Sequence, residues 1–343
     1  MENEKERKRV NIKTKKKTII TYAVLLILLG FGIFYNQDFF KEVLSQIGNM
    51  ALWAFLGTCF LGCLYRVLDG VYLYILGKRY SESLTLGKSI SIAFCGAFFR
   101  VSTLGSGMAV SKIFYLNKEK VPVGNGMGIT LLQFIFIRLA TLFTGLFCFF
   151  TCLPVKNAFA SRQKFVILAI VGCIVIDVIL FMAALCSGIT TFLFDKVLHL
   201  VSGHEKLRGL VEKARKQVSL LQKEAKVAVK DKKLFIQLLV ISILTQAVWY
   251  VIPCLVACPK GILFWPVFSA MALTCLLAGV IPAPSGFGSV EVLFSMMFSK
   301  FGPASLAACC VVIYRFASTF APFFVGLIPV FHYRGGKKIE GTA

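Results

Sequence analysis

Apolar runs of about twenty residues recur along this chain, and nothing else in it restricts the fold as strongly. They cover 18–35, 50–77, 124–152, 165–187, 234–256 and 303–333. A helix of that length crosses the ~30 Å hydrocarbon layer of a bilayer. Hydrophobic residues make up 57% of the chain and charged residues 16%. That balance argues against a water-soluble enzyme and against a disordered chain. The expected fold is an all-α integral membrane protein with six full transmembrane helices.

Two further apolar stretches are interrupted. Residues 84–104 run into Ser102-Thr-Leu-Gly-Ser-Gly107 and then a polar-basic segment to Lys120. Residues 262–281 run into Pro282-Ala-Pro-Ser-Gly-Phe-Gly288 and then a short apolar stretch to Phe301. Broken backbone is tolerated at membrane depth only inside protein or against a cavity. Each stretch is therefore expected to form a re-entrant pair of half-helices, giving about eight hydrophobic segments in all.

Lys and Arg outnumber Asp and Glu by 38 to 16, a net charge of +22. In a soluble chain this would suggest nucleic acid, but here the distribution decides. With the N-terminus inside, 28 of the 38 basic residues fall in 1–17, 78–88, 112–120, 190–233 and 334–343, and six fall outside. That excess predicts cytoplasmic termini. The chain then divides into a basic tail (1–17), a membrane domain (18–333) with a cytoplasmic amphipathic loop (190–233), and a short tail (334–343). In the loop, Leu207, Leu210, Val211, Ala214, Val218, Leu221 and Ala225 follow helical spacing among basic residues. A basic amphipathic helix on the inner leaflet is expected there, with a cytoplasmic partner as the alternative.

The two interruptions sit in similar surroundings. Gly105-Ser-Gly107 is followed, 31 residues after its second glycine, by Arg138-Leu-Ala-Thr-Leu-Phe143. Gly286-Phe-Gly288 is followed, after 27, by Arg315-Phe-Ala-Ser-Thr-Phe320. The two copies run in opposite directions through the predicted topology, an inverted repeat. Such paired breaks point to a midplane binding site in transporters.

Arg66, Asp69, Arg100, Arg138, Asp177, Glu291 and Arg315 fall at membrane depth, where an unpartnered charge costs several kcal/mol. Arg66 and Asp69, three apart, suit an internal ion pair. Arg138 and Arg315 suit either a phosphate headgroup or buried pairing with Asp177 and Glu291. Glu291 suits a helix N-terminus or contact with a cationic headgroup. All the cations assigned to the interior are Arg and none is Lys. The twelve cysteines lie in or beside apolar runs and read as packing residues. No metal site, cofactor or catalytic nucleophile–base pair is expected.

Thr103-Leu-Gly-Ser-Gly-Met-Ala-Val-Ser-Lys-Ile-Phe-Tyr-Leu-Asn-Lys118 and Pro282-Ala-Pro-Ser-Gly-Phe-Gly-Ser-Val-Glu291, followed by Tyr314-Arg315, resemble the two signatures of the lysylphosphatidylglycerol synthase transmembrane (flippase-like) family. The first departs from the family pattern at Met108 and Ala109, where a Gln or Glu and a Pro are usual. The resemblance runs from about residue 18 to 333. It implies a bacterial inner-membrane protein that moves aminoacylated phosphatidylglycerol or a related phospholipid and contributes to resistance against cationic antimicrobial peptides. In fused members a cytoplasmic domain transfers lysine from lysyl-tRNA to phosphatidylglycerol. Here only 334–343 follow the last run, so the flippase-like part alone is expected. A separate cytoplasmic synthetase docking on 190–233 is then the alternative partner, with no nucleic acid expected to bind this chain. In the leading hypothesis Arg138, Arg315, Glu291, Gly105, Gly107, Gly286, Gly288, Pro282 and Pro284 are the candidate headgroup-site residues, and the charges at membrane depth put Arg66, Asp69 and Asp177 in buried ion pairs. A phosphatidylglycerol lysyltransferase, or its membrane subunit, and a secondary transporter of a small solute are the alternatives.

Overall fold

The computed structural model describes residues 37–103, 105–158, 163–200, 205–279 and 288–335. The basic tail 1–17, the apolar run 18–35, residues 336–343 of the C-terminal tail, and Pro282, Pro284 and Gly286 lie outside the described residues. The contacts divide the chain at Asn49. In the first unit α1 (Gln37–Gly48) is a short amphipathic helix with Val43 buried.

In the second unit every described regular element is helical. Five helical segments are long and apolar enough to cross a membrane: Leu52–Gly77, Val123–Thr151, Val166–Leu185, Lys232–Lys260 and Ala304–Tyr333. They coincide with five of the six runs read from the sequence. Large apolar side chains such as Phe60, Phe134, Phe150, Leu168 and Ile328 stand more than half exposed on their outer faces. Lipid tails, and not water, solvate such a surface at low cost.

The chain order of the second unit is α2 (Leu52–Gly77), α3 (Leu86–Ser102), α4 (Gly107–Lys118), α5 (Val123–Thr151), α6 (Leu153–Ala158), α7 (Gln163–Leu185), α8 (Ser187–Leu200), α9 (Glu205–Lys230) and α10 (Lys232–Ala257). Then follow α11 (Phe264–Ala278), α12 (Ser289–Phe298), α13 (Ala304–Arg315), a π-helical turn (Phe316–Phe320) and α14 (Ala321–Gly335). Side-chain caps mark two starts: Thr85 Oγ1 accepts from Lys88 N–H, and Asp231 Oδ1 accepts from Leu234 N–H.

Two four-part blocks follow the same plan. α2, α3, α4 and α5 have 26, 17, 12 and 29 residues; α10, α11 and α12 have 26, 15 and 10, followed by the long α13–α14 rod. The blocks interlock reciprocally. α2 packs on α10, α3 on α14 of the other block, and α11 on α5. Glycines make the closest approaches possible. A Cβ at Gly62 would sit 1.9 Å from the Ala317 carbonyl oxygen, and one at Gly70 would sit 2.5 Å from the Ile90 Cα.

The segment 190–233 is less separate than its charge suggests. α9 lays Leu221, Ala225 and Ala228 into the core alongside Ile129 and Leu132 of α5. A Cβ at Gly128 would meet the Leu220 carbonyl at 2.8 Å. Buried Glu224 accepts from Tyr80 Oη at 2.8 Å and from Asn125 Nδ2 at 3.1 Å. Desolvation, reinforced by that carboxylate, pushes the Tyr80 phenol up to about 12. The N-terminal half of α9 keeps Leu207 and Leu210 exposed.

Candidate functional site

Ion pairs inside the bundle begin with Asp69, near the middle of α2. Its Oδ1 accepts from Lys112 Nζ at 2.7 Å and Gln133 Nε2 at 2.5 Å, and Arg66 Nη1 lies 3.4 Å from Oδ2. All four residues are at most 4% exposed. The expected Arg66–Asp69 pair is present, but Lys112 is the better-placed cation. The expectation that interior cations are all Arg is therefore corrected.

The error has a physical source. Ser111 and Lys112 look like part of a polar loop, yet α4 turns Ser111, Lys112, Tyr115 and Leu116 into the core together. Gly96 on α3 leaves room for the Lys112 stem, which passes 3.3 Å from where a Cβ would stand. The ammonium reaches Asp69, which makes burying it affordable. Without that partner it would carry a penalty of several kcal/mol.

The two repeated arginines both find acids. Arg138 Nε and Nη2 are each 2.8 Å from Asp177 Oδ1. Its other terminal nitrogen packs so closely on Gly279, at the end of α11, that a Cβ there would lie 1.8 Å away. Asp177 Oδ2 has no hydrogen-bond partner among the described residues. Arg315 donates through Nε to Glu291 Oε1. Glu291 Oε2 accepts from the Gly288 N–H at 2.8 Å. Glu291 thus caps α12 and pairs with Arg315 at the same time. The pairing half of each sequence alternative is what the geometry displays.

Gly105 and Gly288 have φ values of 104° and 91° at the starts of the two short helices. L-residues with a side chain are strained there, so glycine is required by the turn itself. Gly107 opens α4, and its N–H donates to Thr103 Oγ1 at 2.6 Å. A Cβ on it would meet that hydroxyl at 2.5 Å.

Arg100, in the last turn of α3, is half-buried. Among the described residues no carboxylate lies within ion-pair distance of it. Its electrostatic neighbours are Arg66 and Arg315 as like charges and the phenols of Tyr65 and Tyr314. Lys112 is in turn influenced by Arg66 and Arg100. Tyr65, Trp249 and Tyr314 form a ring stack beside them, with centroids 4.4 and 5.3 Å apart. Arg66 sits over the Tyr65 ring at 4.9 Å and Arg315 over Tyr314 at 5.6 Å. Four cations, Arg66, Arg100, Lys112 and Arg315, therefore share one region with two carboxylates, Asp69 and Glu291.

The sequence pointed to Arg100 only as one more buried charge. Lys112 stands in the sequence only as one residue of the first signature, and Gln133 and the aromatic stack carry no signal, since polar and aromatic residues on a helix do not announce which face is covered. Among the described residues no three His, Cys, Asp or Glu side chains converge as a metal site would need.

Residues 18–326 match the family model described as the lysylphosphatidylglycerol synthase TM region. The chain belongs to that family. The match takes in both glycine breaks, Lys112 and all the paired charges described above. It also agrees with the five membrane-length helical segments, so this is a membrane protein whose surroundings are lipid. No curated protein and no solved structure matches the chain.

Proposed function

We propose that this member of the lysylphosphatidylglycerol synthase TM family handles a phospholipid. It takes the phosphate of the headgroup into the polar region between the two short-helix pairs and moves it between leaflets. The observation that carries this reading is the excess of cations over carboxylates around Arg100. An excess of positive charge inside a low-dielectric bundle is costly unless an anion completes it. Arginine's planar fork binds phosphate oxygens through two bonds, which suits Arg100 to that role. The α3 C-terminus offsets its charge only in part, by ~0.3–1 kcal/mol.

In this proposal α3–α4 and α11–α12 are re-entrant pairs, and the two blocks are inverted repeats with both termini cytoplasmic. The matched helix lengths and reciprocal packing support the repeat, and the distribution of Lys and Arg supports the orientation. Arg315 and Glu291 border the site, while Arg138 and Asp177 brace it. The exposed N-terminal half of α9 rests on the anionic inner leaflet. The family's description makes phosphatidylglycerol and its lysyl ester the first lipids to examine.

The test is a leaflet-exposure assay on vesicles reconstituted with the full chain and a labelled phospholipid. Wild type should move the label faster than empty vesicles. Arg100→Gln should slow it roughly ten- to hundredfold, the equivalent of one lost charge-assisted bond. Equal rates in wild-type and empty vesicles would sink the proposal.

A further inference from the structure

We infer that the last two turns of α14 form a hinged gate at the basic end of the bundle, swinging on Pro329 and latched to Glu119 through Tyr333. The hinge and latch stand on geometry alone, and their part in lipid movement rests on the phospholipid reading above.

The two sides of the latch are held differently. Glu119, one residue past the end of α4, is a fixed post. Its carbonyl accepts from Ser81 Oγ at 2.6 Å and Ser83 Oγ at 3.1 Å, both in the turn before α3. Its carboxylate takes Lys88 Nζ at 2.7 Å, and that ammonium also donates to the Ser83 carbonyl at 3.0 Å. The turn before α3 and α3 itself thus hold the acid without help from α14.

On the other side, α14 is seated firmly up to Gly326. A Cβ there would lie 2.4 Å from the Phe94 carbonyl oxygen, and Phe323 stacks on Phe98 at 5.1 Å. Three residues later Pro329 stands inside the helix. It has no N–H for the Val325 carbonyl and its ring crowds that turn, so the helical ladder is interrupted there. Beyond the proline Val330 is buried, Phe331 and His332 are exposed, and Tyr333 is half-buried.

Tyr333 makes the closing contacts. Its Oη donates to Glu119 Oε1 at 3.1 Å, and its carbonyl accepts from Lys118 Nζ at 3.4 Å. Its ring lies 4.9 Å from that of Tyr115, and the exposed Lys118 ammonium sits 5.5 Å over it. These contacts lie at the rim of the bundle, where water competes for the same polar groups. Between hinge and latch is a cavity of about 340 Å³, walled by Lys88 and Ser91 of α3, Glu119, and Pro329, His332 and Tyr333 of α14. A helix end packed without a gap would have nowhere to swing and nothing to uncover. Here, release of Tyr333 frees the segment past Pro329 to turn away from α3 and open the seam between the two blocks. Val330 limits the swing, because turning it out of the core exposes its side chain.

Backbone hydrogen exchange on the full chain in phosphatidylcholine vesicles reads the hinge without reference to transport. Tyr333→Phe removes the latch bond and should speed exchange of amides 330–335 about tenfold, with 323–326 unchanged. Pro329→Ala restores the missing helical bond and should slow the same amides by a similar factor. Unchanged exchange in either variant, or acceleration spread along the whole of α14, overturns the hinge. For the gating role, Pro329→Ala should slow movement of labelled phosphatidylglycerol about tenfold, although replacing an interior proline raises the melting midpoint. A stabilised Pro329→Ala that moves lipid at the wild-type rate overturns the gating role and leaves the phospholipid reading standing. If wild type moves no lipid above empty vesicles, the phospholipid reading falls and the exchange series alone decides the hinge.

Discussion

The two blocks carry the same short word, an arginine followed by Ala, then Ser or Thr, then Phe, yet they put it to different uses. Arg138 pairs with an acid on another long helix and is pressed against Gly279. Arg315 pairs with Glu291 at the start of a short helix, and Glu291 keeps a quarter of its side chain exposed. Arg315 also neighbours Arg100, which has no acid within ion-pair distance among the described residues. A shared sequence pattern thus yields one sealed brace and one pair at the edge of an unbalanced cluster. A repeat can fix where a charge sits without fixing what that charge does.

Removing each acid is the harshest test of this contrast. Asp177→Ala leaves Arg138 buried without a counter-charge and should cost about 3–5 kcal/mol in detergent unfolding. Glu291→Ala should cost ~1–2 kcal/mol, because its site is more open and its cap is replaceable by solvent. Equal losses would erase the distinction between sealed and open pairs.

The glycines sharpen the same point by different physics. Gly279→Ala drives a methyl into the Arg138 guanidinium and should destabilise by ~1–3 kcal/mol, with loss of the Arg138–Asp177 pair. Among the described residues Gly288→Ala meets nothing within 4 Å, and its positive φ should cost roughly 1–2 kcal/mol. Melting midpoints measured side by side would rank them.

The arginines separate stability from lipid movement. Arg315→Lys should slow lipid movement about tenfold with a small change in melting, since an ammonium cannot copy the fork. Arg138→Lys should lower melting while leaving movement per folded molecule close to wild type. The reverse pattern would exchange the roles assigned to the two blocks.

The smallest effect lies outside both pairs. Tyr80→Phe removes one hydrogen bond to Glu224 and should cost ~1 kcal/mol. The folded-state phenol titrates near 12, above its ordinary 10. Its contribution is therefore present below pH 10 and lost as pH rises from 10 to 12. An alkaline melting series should show that loss in wild type and not in Tyr80→Phe.

Much of the fold is visible in the sequence because lipid imposes a blunt rule: a spanning helix must be long and apolar. Five runs obey it within a few residues at each end. α4 breaks it. Its Ser111 and Lys112 look solvent-bound, yet Ser111 donates back to the Met108 carbonyl, and Asp69, 43 positions before Lys112, supplies the counter-charge that makes the buried ammonium tolerable. Nearness of that kind leaves no periodic trace. Glu291 was easier, since a carboxylate three residues past a glycine is a local cap. Arg100 reads in the sequence as a buried charge, but its lack of an acid among the described residues is a property of its neighbours on three other helices.

Phe316–Phe320 is π-helical, which spends one more residue on a turn than an α-helix does. The rod from Ala304 to Gly335 therefore has two phases, offset by roughly 100° about its axis. Arg315 is aimed by the first phase, while Phe323, stacked on Phe98 at 5.1 Å, is aimed by the second. Deleting one residue within the turn would merge the phases and force the rod to choose which of those two contacts to keep. Chain length at this point works as an angular setting.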